Sequence, residues 1–243
     1  MSKMQHRFEF DFMRKQIKMI FFDMDGVLFD ITGYDEKGKK VAISSWNAVF
    51  DQIGIYSEHE RLKSMFVKGD FPSYMEWTDE ACRVLQKNGL KREKFMEIIN
   101  KRPLMKGAKE TLNELKKKGY KTAVITGSFE ALALRAKELL GIDYAIGHCR
   151  LNFDKNGILE SWELIPCDFD GKIDYFKKIA EKTKVKFQEC AFVGDEVNDI
   201  PIFKEVGLSI AFNSTKEQVK KTANVKIDKK DLREILPYFP IIH

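Results

Sequence analysis

Met19-Ile20-Phe21-Phe22-Asp23-Met24-Asp25-Gly26-Val27 is the stretch on which the fold turns. Met19 to Phe22 are continuously apolar, too short for a helix, and do not alternate with polar residues. A run of that kind reads as a strand buried on both faces, the mark of a parallel sheet covered by helices. Similar runs recur at residues 122–125, 191–193 and 208–212. Helical spacing fills the gaps between them. Phe129, Leu132, Ala133, Ala136, Leu139 and Leu140 form one such set, closed by Gly141. Ile173, Phe176, Ile179 and Ala180 form another, after Gly171. Ala108, Leu112 and Leu115 sit on a lysine-rich segment ending at Gly119. This alternation predicts an α/β fold, a Rossmann-like parallel sheet with crossover helices.

Two segments break the rhythm. Residues 33–102 show no buried strand but three apolar sets at helical spacing: Ala48, Val49 and Ile53; Cys82, Val84 and Leu85; Phe95, Ile98 and Ile99. They predict a small helical insert after the first strand. Residues 145–166 alternate in polarity and contain Asp154-Lys155-Asn156-Gly157, a hairpin-turn signal. The expected organisation is an extension at 1–17, a core at 18–32 and 103–243, and the insert at 33–102.

Composition narrows the class. The chain has 243 residues, 44% hydrophobic and 33% charged, and a net charge of +5. That is ample for a real core without disulfide or metal staples. The charge surplus is mild and spread out, so it suits anionic ligands and does not point to nucleic acid. No apolar run approaches the roughly 20 residues of a membrane span. The first residues are too interrupted by charge for a secretory signal. Cys82, Cys149, Cys167 and Cys190 form no CxxC, which reads as reduced thiols in a cytoplasmic protein. The four histidines form no HxH or HxxxH pair, so neither zinc nor a histidine-based triad is supported.

Acidic residues sit where two of the strands end. Side chains alternate in extended chain, so Asp23 and Asp25 point to one side and Met24 to the other. Two carboxylates at the end of a buried strand are costly without a compensating cation or proton. Gly26 permits a tight exit and close approach of a ligand. Gly194-Asp195-Glu196-Val197-Asn198-Asp199 follows a second buried run. Two strands thus deliver carboxylates to one sheet edge, where open α/β sheets bind ligands. Oxygen donors without His or Cys suit Mg²⁺. Thr126-Gly127-Ser128 follows a third strand, and its hydroxyl and free amides would make an anion cradle. Lys172 stands in the first turn of a helix, where its charge opposes the helix dipole.

In chain order these segments read Asp-x-Asp-Gly-Val, Thr-Gly-Ser, Lys and Gly-Asp-x-x-Asn-Asp. The order resembles the haloacid dehalogenase-like hydrolase superfamily. Residues 126–143, 193–212 and 231–238 are similar to its phosphoserine phosphatase branch. The resemblance implies a Mg²⁺-dependent phosphatase acting on a small-molecule phosphomonoester through an aspartyl-phosphate intermediate. Asp23 would be the nucleophile and Asp25 the general acid and base. Mg²⁺ would be held by Asp23, Asp195 and the main-chain carbonyl of Met24. Thr126, Gly127, Lys172, Asn198 and the turn at Met24 and Gly26 would bind the phosphoryl group. Asp199 would support them from behind. The helical insert would be a cap over the site.

Departures from that branch concern the substrate. The branch carries a glutamate for the substrate ammonium; its place falls at Thr32, with Asp30 displaced nearby. Its arginine for the substrate carboxylate has no secure match, since Arg83 is near but Ala81 occupies the position. Losing both partners weighs against phosphoserine itself. Trp46, Phe71 and Trp77 would either line a leaving-group pocket or build the core of the insert. A phosphomutase or phosphotransferase and a non-catalytic phosphate-sensing module are the competing readings. Neither a nucleic-acid nor a membrane partner is expected, and the chain is expected to act as a monomer or homodimer.

Overall fold

The computed structural model describes residues 16–34 and 40–242. The expected extension at 1–17 therefore lies almost wholly outside the described residues. Strand β1 (Met19–Phe22) is fully buried at the middle of a seven-stranded sheet. It pairs in parallel with β4 (Lys121–Phe129) on one side and β7 (Cys190–Gly194) on the other. Beyond β7 come β8 (Leu208–Phe212) and β9 (Val225–Ile227), also parallel. Beyond β4 come β5 (Tyr144–Phe153), parallel, and β6 (Leu159–Leu164), antiparallel at the edge.

Side-chain alternation along β1 sorts two cores. Ile20 and Phe22 pack with Val124 and Val193 on one face, and Met19 and Phe21 with Ile125 and Phe192 on the other. The first face is covered by α5 (Ala108–Lys117) and α6 (Glu130–Leu140) through Leu112, Leu115, Leu132 and Ala136. The second is covered by α7 (Lys172–Thr183) and the short α8 (Ile200–Phe203). Register then sets the site: Phe22 lies level with both Val124 and Val193. Asp23, Thr126 and Asp195 consequently leave the sheet at the same edge.

The β5–β6 hairpin turns where expected. Asp154 Oδ1 accepts the amides of Asn156 and Ile158 at 2.9 and 2.8 Å. Strand β4 runs on to Phe129, with a register irregularity after Thr126, so α6 starts one residue later than the apolar spacing suggests.

Between β1 and α5 the chain forms α1 (Ser45–Gln52), α2 (Tyr56–Lys68), α3 (Tyr74–Lys87) and α4 (Arg92–Lys101). The segment also holds an antiparallel ribbon that the sequence did not suggest, β2 (Thr32–Tyr34) against β3 (Lys40–Ala42). Its strands are too short to show alternation. Gly33 matters there because a Cβ would meet Ile43 Cδ1 at 2.0 Å. The apolar faces of α1 to α4 belong to the same continuous core as β1: Trp46, Phe50, Leu62, Trp77, Leu85 and Phe95 join Ile20 and Phe22. Cys82 of α3 and Cys149 of β5 bring their Sγ atoms to 3.5 Å across that junction as free thiols. Among the described residues no helix is long and apolar enough to cross a membrane.

Candidate active site

Lys172, the first residue of α7, is completely buried. Its Nζ donates to Asp23 Oδ1 at 2.7 Å and to Asp199 Oδ1 at 2.6 Å. Burial opposes its charge, but Asp199, Asp23 and Asp168 outweigh burial and hold the ammonium well above its ordinary range. A lysine that reads as a surface residue by type is thus the central cation of the site.

Asp23, Asp195 and Asp199 place carboxylate oxygens within 4.8 Å of one another. Their environments differ. Asp199 spends Oδ1 on Lys172, while its Oδ2 accepts the amides of Asp195 and Glu196 at 3.0 and 3.1 Å. It therefore ties Lys172 to the loop after β7. Burial, partly offset by Lys172, pushes its carboxyl up to about 7. Asp195 is buried, and its Oδ1 has no protein partner. Burial first, then the charges of Asp23 and Asp199, raise its carboxyl well above the usual range. A buried carboxylate oxygen without a partner is expensive. Gly26, at φ +88°, is the residue that lets the loops meet, since a Cβ there would lie 2.5 Å from Asp195 Oδ2.

Asp25 lines the same cavity and is bonded to the start of α1. Its Oδ2 accepts the Ser45 amide at 2.9 Å and its Oδ1 accepts Ser45 Oγ at 2.7 Å. Burial raises its carboxyl, against the pull of Arg102 and Ser45. A carboxyl so raised, beside but outside the Lys172 pair, is suited to carrying a proton.

Met24 corrects one expectation. Its carbonyl accepts the amides of Val27, Leu28 and Phe29 at 3.3, 2.9 and 3.0 Å. Its lone pairs are committed to the turn, so it is unsuited to be a metal ligand. Its side chain is buried in the core.

Thr126 is buried, and its Oγ1 accepts the Ser128 amide at 3.1 Å. Ser128 Oγ is buried without a partner. The Gly127 carbonyl accepts Tyr74 O–H at 2.9 Å and Trp46 Nε1–H at 3.3 Å. A Cβ on Gly127 would lie 1.8 Å from Asp168 Oδ2. Asn198 donates its Nδ2 to Asp168 Oδ1 and leaves its own Oδ1 buried and unpartnered. Asp168, Ser45 and Tyr74 were not singled out from the sequence. Nothing in their local spacing marks them, since each acts through contacts with distant segments.

These groups surround a cavity of about 480 Å³. Its polar lining includes Asp23, Asp25, Thr126, Gly127, Ser128, Asp195 and Asn198. Its aromatic lining is Trp46, Phe66, Tyr74, Trp77 and Phe169, with His59. Phe71 is not among the lining residues and packs against the core instead. Asp30 lies outside and pairs with Lys230. Arg83 is exposed on α3 and pairs with Asp79 at 2.7 Å, and Ala81 is buried.

The model of the family described as haloacid dehalogenase-like hydrolase matches residues 17–207. The chain belongs to the haloacid dehalogenase-like hydrolases. Within them it is similar to phosphoserine phosphatase from Methanocaldococcus jannaschii, 31% identical over 226 residues that cover 93% of this chain and 99% of that protein. Phosphoserine phosphatase from Archaeoglobus fulgidus is also 31% identical, over 90% of this chain but only 58% of the longer relative. A solved phospho-aspartyl intermediate analogue of phosphoserine phosphatase superposes with a TM-score of 0.73 at 29% identity, covering 92% of this chain and 99% of that one. This hydrolase therefore sits in the phosphoserine phosphatase-like branch and is a phosphatase.

Proposed function

We propose that this haloacid dehalogenase-like phosphatase hydrolyses a small phosphomonoester, using Mg²⁺ at Asp23 and Asp195 and an aspartyl-phosphate at Asp23. The observation that carries the reading is Lys172, buried, charged and bonded to Asp23, which lines one cavity together with the Thr126–Ser128 loop. The metal assignment is supported by the unpartnered Asp195 Oδ1 and by a donor set made of oxygen alone. When bound, the ion would offset repulsion between the carboxylate and the phosphate and stabilise charge on the phosphoryl oxygens.

The protein's own groups account for the rest. Lys172 bonds one oxygen of Asp23 and aims the carboxylate, leaving the other oxygen to attack phosphorus. Thr126, Ser128 and the loop amides bind the phosphoryl oxygens in the transferred group. As the bond from phosphorus to the leaving oxygen breaks, Asp25 gives that oxygen its proton. It then takes a proton from the water that attacks the aspartyl-phosphate, and inorganic phosphate leaves. Ser45 keeps Asp25 turned to the leaving-group side. In this reading α1 to α4 act as a cap that keeps bulk water from the intermediate.

The same reading places the leaving group against Trp46, Phe66, Tyr74, Trp77 and Phe169. It weighs against phosphoserine as the preferred substrate, because Asp30 is paired with Lys230 and Arg83 is exposed and paired with Asp79. The enzyme is assigned to the cytoplasm on its free, buried thiols. A panel of phosphomonoesters assayed with and without Mg²⁺ tests the reading. Release of inorganic phosphate that stops on chelation and returns with Mg²⁺ supports it. Transfer of the phosphoryl group to a second alcohol, with little inorganic phosphate released, would favour a phosphotransferase.

A further inference from the structure

We propose that Tyr74 and Trp46 are positioning residues for phosphoryl transfer, holding the Gly127–Ser128 peptide so that Thr126 presents its hydroxyl proton to the phosphoryl group. The proposal rests on the reading of Asp23 and Thr126 given above and assigns two residues of the inserted helices to the phosphate loop.

The chain of contacts is continuous. Tyr74 O–H and Trp46 Nε1–H both donate to the Gly127 carbonyl, at 2.9 and 3.3 Å. The two donors occupy both lone pairs of that oxygen. A peptide is planar and stiff, so fixing its carbonyl also fixes the Ser128 N–H on the opposite edge. That N–H donates to Thr126 Oγ1 at 3.1 Å. A hydroxyl that accepts one hydrogen bond keeps its own proton for another acceptor. With the Ser128 amide on one side of Oγ1, the remaining directions for that proton are restricted. Successive hydrogen bonds also polarise one another, which makes the Thr126 hydroxyl a better donor.

The two donors are held firmly. Tyr74 opens α3, and its ring meets Trp77 at 5.2 Å, Phe169 at 5.1 Å and His148 at 5.0 Å. Trp46 lies in the first turn of α1 and packs on Phe129, at the end of β4, at 4.2 Å. Burial raises the Tyr74 phenol well above its ordinary value, so it remains a donor. Asp168, fitted against Gly127 where a side chain would sit, limits the loop from its other side. The phosphate loop is thus set by residues from α1 and α3, and its geometry depends on those helices being seated.

A two-by-two set of variants tests this: Tyr74→Phe, Thr126→Val and the double substitution, assayed with p-nitrophenyl phosphate and Mg²⁺. Tyr74→Phe removes one hydroxyl and keeps the ring on the cavity wall. It is expected to lower kcat about three- to tenfold with KM nearly unchanged. Thr126→Val is expected to lower kcat about a hundredfold. Because Tyr74 acts through Thr126, adding Tyr74→Phe to Thr126→Val is expected to cost nothing further. Inhibition by inorganic phosphate gives a second readout: Tyr74→Phe should weaken it alone but not in the Thr126→Val background. Losses that multiply in the double variant, or a change in KM alone, would overturn the role of Tyr74. Full turnover by Thr126→Val would overturn the phosphate site itself and this proposal with it, so the two failures are distinct. Trp46→Phe is expected to repeat the pattern with a smaller loss, in keeping with its longer bond.

Discussion

Replacing Lys172 by Met removes the buried cation bonded to Asp23 and Asp199, in a side chain of similar length. Lys172 lies 2.7 Å from Asp23 and 2.6 Å from Asp199, with its own side chain wholly buried. At an effective dielectric of about 20, each contact amounts to roughly 6 kcal/mol of gross attraction. Desolvating the charges cancels much of that in the intact protein. Removal of one partner keeps the desolvation and loses the attraction, so the expected destabilisation is about 3–5 kcal/mol. For a chain of this size that corresponds to a fall of roughly 6–20 °C in the unfolding midpoint. The loss should shrink as pH falls below about 7, because a protonated Asp199 needs no counter-charge. Turnover should fall by about a hundredfold or more. Urea and thermal unfolding at several pH values, together with steady-state kinetics, measure all three effects. A stability loss under about 1 kcal/mol, the scale of an exposed ion pair, would refute the buried-cation account.

Three further outcomes follow from other residues. Gly26→Ala should abolish or strongly reduce turnover and weaken Mg²⁺ binding measured by calorimetry, because its Cβ would meet Asp195 Oδ2 at 2.5 Å on a backbone of φ +88°; wild-type kinetics in that variant would mean the loops are not packed as described. His148 donates Nδ1–H to the Ile165 carbonyl and sets Nε2 3.0 Å from Thr78 Oγ1, and burial holds it down to about 4 against 6.5 in the unfolded chain. Between those values only the unfolded chain takes up the proton, so stability falls with pH across that window, by about 3 kcal/mol at its lower end; His148→Gln should flatten this part of the stability curve, and parallel curves would contradict it. All four cysteines are free and buried, with burial pushing Cys167 and Cys190 up to about 12, so a thiol reagent at neutral pH should label the native protein no faster than it unfolds; rapid labelling would place a thiol at the surface.

The central sheet was legible because burial on both faces erases alternation, as in Met19 to Phe22. The convergence of Asp23, Thr126 and Asp195 was legible too, since parallel strands in one register end at one edge. Lys172 could be located by its odd place in a helix's first turn, but not its complete burial. Strands β2, β3 and β9 escaped notice because three residues are too few to show a period. The Met24 carbonyl was misjudged for a different reason: the turn from Met24 to Phe29 consumes it, and turn hydrogen bonds leave no trace in residue type. Ser45, Asp168 and Tyr74 acquire their places only through tertiary approach. Ser45 reaches Asp25 from the first turn of α1, and Tyr74 reaches Gly127 from α3.

The most direct test of the account is the covalent state of Asp23 during turnover. In Asp25→Asn the group proposed to activate water is lost while Asp23, Lys172 and Thr126 remain. Rapid acid quench of that variant with a phosphomonoester and Mg²⁺, followed by peptide mass analysis, should find one phosphoryl group on the peptide carrying Asp23 and none on an Asp23→Asn control. A phosphoryl group on any other residue, or undiminished turnover by Asp23→Asn, would contradict the mechanism at its root.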